Sequence, residues 1–206
     1  MKRISILFFV LFICSACLYG QGTKYNKTDI LHPVFSEKAI VSLVPVPLIF
    51  NGFRVDADVR LTDNVWLNIA PRINIKNALD TNSKFVFGGS FDLNARYYIK
   101  NKPLGFYVSA GLGIEYNHLG AIVKKTKEYY EVDALRFGGQ THLGYSLRLW
   151  PRCILDIYLG ATFRYSSNSF SSDKYRNIVN NSRPNPFSYH FSGLCFDGGI
   201  RIGIML

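Results

Sequence analysis

Residues 106–117 read Phe-Tyr-Val-Ser-Ala-Gly-Leu-Gly-Ile-Glu-Tyr-Asn, and this stretch decides the fold. Its even positions are all apolar or aromatic, and its odd positions are small or polar if Tyr107 is counted as polar. Successive side chains of a β-strand point to opposite faces of the sheet. The alternation therefore predicts a strand with one apolar face and one polar face.

The same period of two recurs along most of the chain. The other alternating segments are 53–61, 65–75, 85–100, 135–149, 153–165 and a final segment that begins at Leu194. A further strand is placed at 38–44, where the alternation is poor and the faces cannot be assigned. Segments of this kind separated by turn residues predict an all-β fold, an antiparallel up-and-down barrel of about eight strands.

The strands of a soluble sandwich or of a lipocalin-like barrel also alternate between apolar and polar residues, but their apolar faces point inward. The segments here run to about 10–16 residues, whereas soluble strands usually have five or six and membrane strands need 9–11. The polar face is rich in Gly, Ser, Asn, Arg and Asp and poor in Lys and Glu. Phe85, Tyr97, Phe106 and Tyr116 fit aromatic girdles at the strand ends. A transmembrane barrel is predicted, with a soluble lipocalin-like binding barrel as the alternative.

The N-terminus is typical of an export signal. Lys2 and Arg3 precede the apolar stretch 4–13, and Gly20 and Gly22 suit a signal-peptidase site. The apolar stretch is shorter than the roughly 20 residues that a membrane-spanning helix needs. The expected organisation is a cleaved signal peptide at 1–22, an N-terminal lead at 23–37 and an outer-membrane barrel domain at 38–206.

The cysteines leave one question open. Cys14-Ser15-Ala16-Cys17 resembles a lipoprotein box, so lipidation of Cys17 is an alternative to simple cleavage. Cys153 and Cys195 follow later in the chain. Export permits a disulfide, but the predicted strands put these two side chains on opposite faces, and none is expected.

The chain has a net positive charge. Removal of Lys2 and Arg3 with residues 1–22 lowers the formal net charge of +10 by two, to +8. On an exported protein this charge favours the phosphates of outer-membrane lipid and lipopolysaccharide, and no nucleic acid partner is expected. An ordinary excess of Arg and Lys on the surface and in the lumen accounts for the same charge without a ligand.

The connections alternate in length. Short ones are predicted at 62–64, 101–103 and 150–152, and longer polar ones at 77–84, 118–133 and 167–186. Outer-membrane barrels place short turns in the periplasm and long loops outside. Pro45 and Pro47 interrupt pairing at the first outer connection. The alternation of short and long connections supports an even number of strands, eight in all. A barrel of eight strands is so narrow that side chains fill it and leave no open water channel.

In these features the chain resembles small outer-membrane barrels of the OmpA/OmpX type, and exported barrel families of unknown function in Bacteroidetes. The resemblance covers about residues 36–206 and rests on Asn51-Gly52-Phe53-Arg54-Val55-Asp56, on lumen charges in the descending strand, and on the closing strand 198–203. It implies insertion by the barrel assembly machinery. Such barrels often end in an aromatic residue, whereas this chain ends in Ile204-Met205-Leu206.

The alternation also predicts a lumen charge network. We expect these charges to form a paired network that fills the core, because burial of an unpaired charge there would cost much free energy. A gated ion path is the alternative. Its members are Arg54, Asp56, Asp58, Arg60, Arg72, Asp92, Arg96, Glu115, Arg136, Arg148, Asp156, Arg164, Asp197 and Arg201.

The one catalytic candidate is His190-Phe191-Ser192, which is similar to the His-x-Ser motif of outer-membrane lipid A deacylases. His190 and Ser192 share a lipid-facing side, but no outward carboxylate follows them to orient the base. A non-enzymatic role is therefore expected, in envelope integrity or in binding a surface ligand through loops 118–133 and 167–186. The spacing of the histidines indicates no metal site, and no cofactor motif is present in the sequence.

Overall fold

A computed structural model describes residues 37–45, 47, 52–75, 83–100, 103–122, 129–171, 173, 176 and 192–206. The predicted signal peptide at 1–22, nearly all of the lead at 23–37, and Cys17 lie outside these residues. So do His190 and the central parts of the long connections. Among the described residues, none belongs to a helix long and apolar enough to span a bilayer.

The described residues form eight strands that close into an antiparallel barrel in chain order. They are β1 (Ala39–Val44), β2 (Gly52–Arg60), β3 (Val65–Asn74), β4 (Ser83–Tyr98), β5 (Gly105–Ile122), β6 (Tyr129–Trp150), β7 (Cys153–Phe170) and β8 (Gly193–Met205). The predicted all-β antiparallel barrel is confirmed. The weakly alternating segment at 38–44 does form a strand, because β1 pairs on both edges: Ser42 is opposite Asp56 of β2 and Gly203 of β8.

The apolar faces point outward and the polar faces point into the lumen. Leu112 of β5 is 71% exposed, whereas Asn117 on the opposite face of the same strand is fully buried. Every strand contributes exposed large hydrophobic side chains to the exterior, from Val41 of β1 to Phe196 of β8. The exterior is therefore apolar and the interior is polar, the reverse of a soluble barrel.

Strands β5, β6 and β7 are longer than the sequence predicted. Residues 118–122, 129–133 and 167–170 belong to strands, so the connections predicted at 118–133 and 167–186 are wrong at these ends. Pairing continues through this polar part, where Asp133 lies opposite His118 on one side and Ser169 on the other. Backbone ladders do not require apolar side chains, and polar composition was a poor guide to strand ends. We call residues 117–122, 129–134 and 166–170 the strand extension.

Tight turns join the strands at the opposite end. Between β2 and β3, the amides of Leu61 and Thr62 donate to Val65 O at 2.9 and 3.0 Å, and the Val65 amide donates to Thr62 Oγ1 at 3.1 Å. Gly105 begins β5 with a φ of 85°, a conformation that other residues rarely adopt. This is the short-turn end of the barrel.

An apolar cluster closes the lumen at the short-turn end. This aromatic plug consists of Ile40, Trp66, Tyr98, Tyr107, Ile154, Tyr158 and Met205. Trp66 meets Tyr98 edge-on with ring centroids 6.5 Å apart, and Tyr98 lies 5.1 Å from Tyr107. The expectation that charged side chains fill the whole interior is therefore wrong at this end, where burial of aromatic surface replaces ion pairing.

Cys153 and Cys195 are buried and form no disulfide with each other. Cys195 lies opposite Thr162, nine positions along β7 from Cys153. At about 3.3 Å per residue the two cysteines are roughly 30 Å apart, far beyond the reach of a disulfide.

Two neighbouring glycines of β6 test the tightness of the strand packing. A Cβ at Gly138 would overlap the carbonyl oxygen of Phe163, whereas a Cβ at Gly139 would meet nothing closer than 3.8 Å. Gly138→Ala is expected to lower the free energy of unfolding by about 1–3 kcal/mol. Gly139→Ala, the control, is expected to leave it unchanged or to raise it by about 0.4–1 kcal/mol.

The measurement is the denaturant midpoint of the folded chain, followed by tryptophan fluorescence. Equal midpoints for the two variants would contradict the packing described for β6 and β7.

Candidate functional site

The most deeply buried charges of the barrel meet at one carboxylate. Asp56 of β2 has no exposed surface. Its oxygens lie 2.7 Å from Arg54 Nε, 3.1 Å from Arg201 Nη1 and 3.6 Å from Arg96 Nη2. The three guanidiniums reach it from β2, β8 and β4, so Asp56 links strands that are far apart in the sequence.

Two further carboxylates complete this group. Arg96 Nη1 lies 2.9 Å from Asp58 and 3.6 Å from Asp156, and Arg201 Nε lies 3.2 Å from Asp156. We call Arg54, Asp56, Asp58, Arg96, Asp156 and Arg201 the Asp56 cluster. It contains equal numbers of positive and negative groups, so it can be neutral while every member stays charged.

Aromatic rings connect the Asp56 cluster to the aromatic plug. The Tyr107 hydroxyl donates to Asp156 at 2.9 Å and accepts from Arg201 Nη2 at 3.2 Å. The Arg201 guanidinium also stacks 4.0 Å above the centre of the Tyr158 ring. A buried cation over an aromatic face gains cation–π energy in addition to its ion pairs.

A second centre lies nearer the long connections. Glu115 of β5 forms ion pairs with Arg136 of β6 and, at 3.6 Å, with Arg72 of β3. Its Oε1 also accepts hydrogen bonds from Asn74 at 2.8 Å and Asn117 at 2.9 Å. Four polar partners around one carboxylate, two of them arginines, hold β3, β5 and β6 in a fixed arrangement.

A cavity of about 60 Å³ lies beside Glu115, in the half of the lumen that faces the long connections. Arg54, Arg72, Arg136 and Arg164 contribute its positive groups, and Asp92, Glu115 and Asp197 contribute its negative groups. Asp92 connects the cavity to the Asp56 cluster, because it lies 3.3 Å from Arg54.

Two of the predicted lumen charges lie outside both centres and outside the cavity. Arg60 forms an ion pair with Asp63 next to the β2–β3 turn, and Arg148 lies 3.4 Å from Glu37 and donates to Pro151 O. The sequence pattern predicted inward side chains for both arginines. Both lie at the short-turn ends of their strands, however, where a side chain reaches solvent. No alternation pointed to Glu37, which lies in the segment predicted as the N-terminal lead.

A Ser–His–Asp series joins three strands inside the lumen, and it was not predicted from the sequence. The His142 ring lies 3.3 Å from Ser109 Oγ through Nδ1 and 3.2 Å from Asp197 Oδ2 through Nε2. This is the order of nucleophile, base and orienting acid. In the described part of the barrel, however, neither Ser109 nor His142 lines the cavity. The series therefore belongs to the packed core, with the His142 ring edge-on to Tyr158.

A polar cluster lies on the exterior at the base of the strand extension. Asp133 accepts a hydrogen bond from the Tyr116 hydroxyl at 2.7 Å and contacts His118 Nδ1 at 2.9 Å. These contacts, that of Tyr116 first, hold the pKa of Asp133 below its usual range. The carboxylate is therefore ionised at neutral pH and marks a charged position on the outer surface.

The candidate deacylase motif is only partly described. Ser192 is exposed just before β8, and its Oγ accepts a hydrogen bond from the Ser166 amide at 2.9 Å. His190 lies outside the described residues, so the predicted pairing of His190 with Ser192 is not tested. Within the described ranges, no group of three or more His, Cys, Asp or Glu side chains is arranged to hold a metal ion.

No protein-family model matches the chain, and no curated protein matches it significantly. The resemblance to small outer-membrane barrels therefore stays a prediction, whereas the closed barrel is a structural finding.

The Asp56 cluster generates a stability prediction. Arg96→Met removes one guanidinium from a site where Arg96 is 2% exposed, and it leaves Asp58 and Asp156 short of positive charge. We expect the free energy of unfolding to fall by about 3–5 kcal/mol, as for other broken buried ion pairs. Arg60→Met is the control, because its pair with Asp63 is exposed and worth up to about 1 kcal/mol.

Chemical denaturation of the two variants beside the wild type measures the difference. A similar small loss in both variants would show that the Asp56 cluster does not stabilise the barrel.

Proposed function

We propose that the protein is an integral outer-membrane β-barrel with a structural or surface-interaction role in the cell envelope, without enzymatic activity and without an open pore. The observation that carries this proposal is the apolar exterior. Exposed hydrophobic side chains follow every strand, with Leu143 at 67% and Leu159 at 68% exposure. A soluble protein rarely exposes a continuous apolar surface of this kind.

The height of the apolar exterior matches a bilayer. Outward apolar rows run over 65–75 in β3, 87–97 in β4, 106–116 in β5, 155–165 in β7 and 194–204 in β8. Each row covers ten residue steps, or about 33 Å along the strand. With the tilt of about 40° found in membrane barrels, the rows give a band about 25 Å tall, the height expected for such a barrel.

Polar residues bound this band on both sides. Asp133 and Ser169 follow it on the strand extension, where Asp133 is ionised. Lys100 and Arg152 are exposed beside the short turns. A band with charged limits supports insertion with the short turns on one side of the membrane and the strand extension on the other.

The lumen supports the absence of a pore. The aromatic plug closes the short-turn end, and the Asp56 cluster lies directly behind it with its six members at most 8% exposed. An ion would have to break several buried pairs to pass this point, which is costly in a low-dielectric interior. Apart from the aromatic plug, the described lumen is lined by polar and charged side chains, whereas a lipocalin-like carrier of hydrophobic ligands needs an apolar lining.

The surface-interaction part of the proposal rests on the strand extension. Strands β5, β6 and β7, of 18, 22 and 18 residues, are longer than a bilayer requires. Their extended ends are paired strands that carry polar side chains outside the apolar band. Lipopolysaccharide and an external ligand are the partners expected there.

One substitution distinguishes a membrane exterior from a soluble one. Leu112→Arg puts a charge in the middle of the row 106–116, and we expect it to lower the free energy of unfolding in phospholipid vesicles by about 2–4 kcal/mol. In a water-soluble protein the same exposed substitution would change stability by no more than about 0.5 kcal/mol. Ser169→Arg, on the outward face of the strand extension, is the control and is expected to be neutral.

Unfolding in vesicles by urea measures both variants. If Leu112→Arg were as stable as the wild type and freely soluble without detergent, the membrane assignment would be wrong.

Location can be tested directly. We expect the natural chain to sediment with the outer-membrane fraction. We also expect it to migrate faster on a detergent gel before heating than after, because a closed barrel resists detergent until it is boiled. In planar bilayers the purified protein is expected to give no steady current. Recovery in the soluble periplasmic fraction would refute the proposed location, and a steady single-channel current would refute the closed lumen.

A further inference from the structure

Among the described residues, the lumen cavity contains one arginine that forms no ion pair with its carboxylates. Asp92 is engaged by Arg54 at 3.3 Å, Glu115 by Arg136 and Arg72, and Asp197 by His142 at 3.2 Å. The four arginines thus face three carboxylates, each of which already has a partner. Because Arg54 also belongs to the balanced Asp56 cluster, the other three arginines of the cavity equal its three carboxylates in number, and the lining has no excess formal charge.

The arginine without an ion pair is Arg164. Its guanidinium acts electrostatically on Asp197, but among the described residues no carboxylate oxygen lies within 4.0 Å of it. The other three cavity arginines all form ion pairs. Arg164 therefore has hydrogen-bond donors available on the cavity side.

A second polar group points to the same space. Thr162 precedes Arg164 by two residues on β7 and so shares its face. Its hydroxyl is buried, lines the cavity and has no hydrogen-bond partner in the described part of the chain. An unsatisfied buried hydroxyl costs free energy, and a ligand oxygen at this place would satisfy it.

The size of the cavity limits what it can hold. About 60 Å³ is far below the 300–1,000 Å³ of pockets for drug-sized molecules, and it suits one small polar group. The aromatic plug closes the other end of the lumen, so entry is from the side of the long connections. Arg72 and Asp197 keep 29% and 26% of their side chains exposed on that side.

We propose that this cavity is a binding site for a single tetrahedral oxyanion, a phosphate group, held by Arg164, Thr162 and the free donors of Arg72. Guanidinium groups form their strongest hydrogen bonds with phosphate and carboxylate oxygens. The phosphate can belong to a free anion or to a lipid headgroup. The site depends on the closed barrel and its lumen, and it does not depend on the proposed membrane location.

Calorimetric titration of the folded protein with inorganic phosphate, at constant ionic strength set by sodium chloride, tests the site. We expect saturable binding by the wild type, weakened about tenfold or more by Arg164→Gln. Thr162→Val keeps the shape of the side chain and removes the hydroxyl, and we expect it to weaken binding a few-fold. Arg152→Gln removes the same charge at an exposed turn and is the matched control, expected to bind as the wild type does.

A second titration with phosphatidic acid in non-ionic detergent micelles distinguishes the two sources of phosphate. Binding of inorganic phosphate that depends on Arg164 supports a free anion as ligand. Dependence on Arg164 in the micelle titration alone supports a lipid headgroup. If neither phosphate binds, or if Arg164→Gln and Arg152→Gln behave alike while circular dichroism shows both folded, the proposed site does not exist.

Discussion

Three guanidiniums converge on the buried carboxylate of Asp56, and the closure of the barrel depends on that contact. Asp56 lies in β2 and Arg201 in β8, and the two strands are separated only by β1. A charged carboxylate removed from water needs its partners in place. The pair can form only when β1 has joined the two ends of the sheet. Neutralisation of Asp56 and closure of the barrel are therefore linked.

This linkage explains why β1 can be a poor strand by its own sequence. Ala39–Val44 has six residues and little alternation. Its neighbours determine its position, since β2 and β8 both offer a ladder edge and the charges behind them fix their spacing. The strand that is hardest to predict locally is specified by contacts that are remote in the sequence.

The sequence predicted the fold well because alternation with a period of two is a local property. It assigned the inward and outward faces of the strands, as the exposed Leu112 and the buried Asn117 illustrate. It did not predict how far each residue lies from the ends of the barrel. Arg60 and Arg148 share the inward alternation of Arg96, yet they stand at strand ends beside solvent. Alternation identifies a face, whereas exposure also depends on how far a residue is from the rim.

The pairing of the lumen side chains was beyond sequence analysis for a different reason. Ser109, His142 and Asp197 belong to three strands and are separated by more than thirty residues each. No local sequence motif indicates such a series, because only the register of the strand ladders brings the three residues together. The aromatic plug was closer to prediction, because Trp66 and Tyr158 occupy inward positions, but burial of rings was not expected among charges.

The length of β5, β6 and β7 has a consequence for recognition. Most exposed loops lose conformational freedom when they are captured, and that loss opposes binding. The strand extension is already ordered by its ladders, with His118 opposite Asp133 and Asp133 opposite Ser169. A molecule that docks on these paired strands would therefore meet a preorganised platform, and less of the interaction energy would be spent on ordering the receptor.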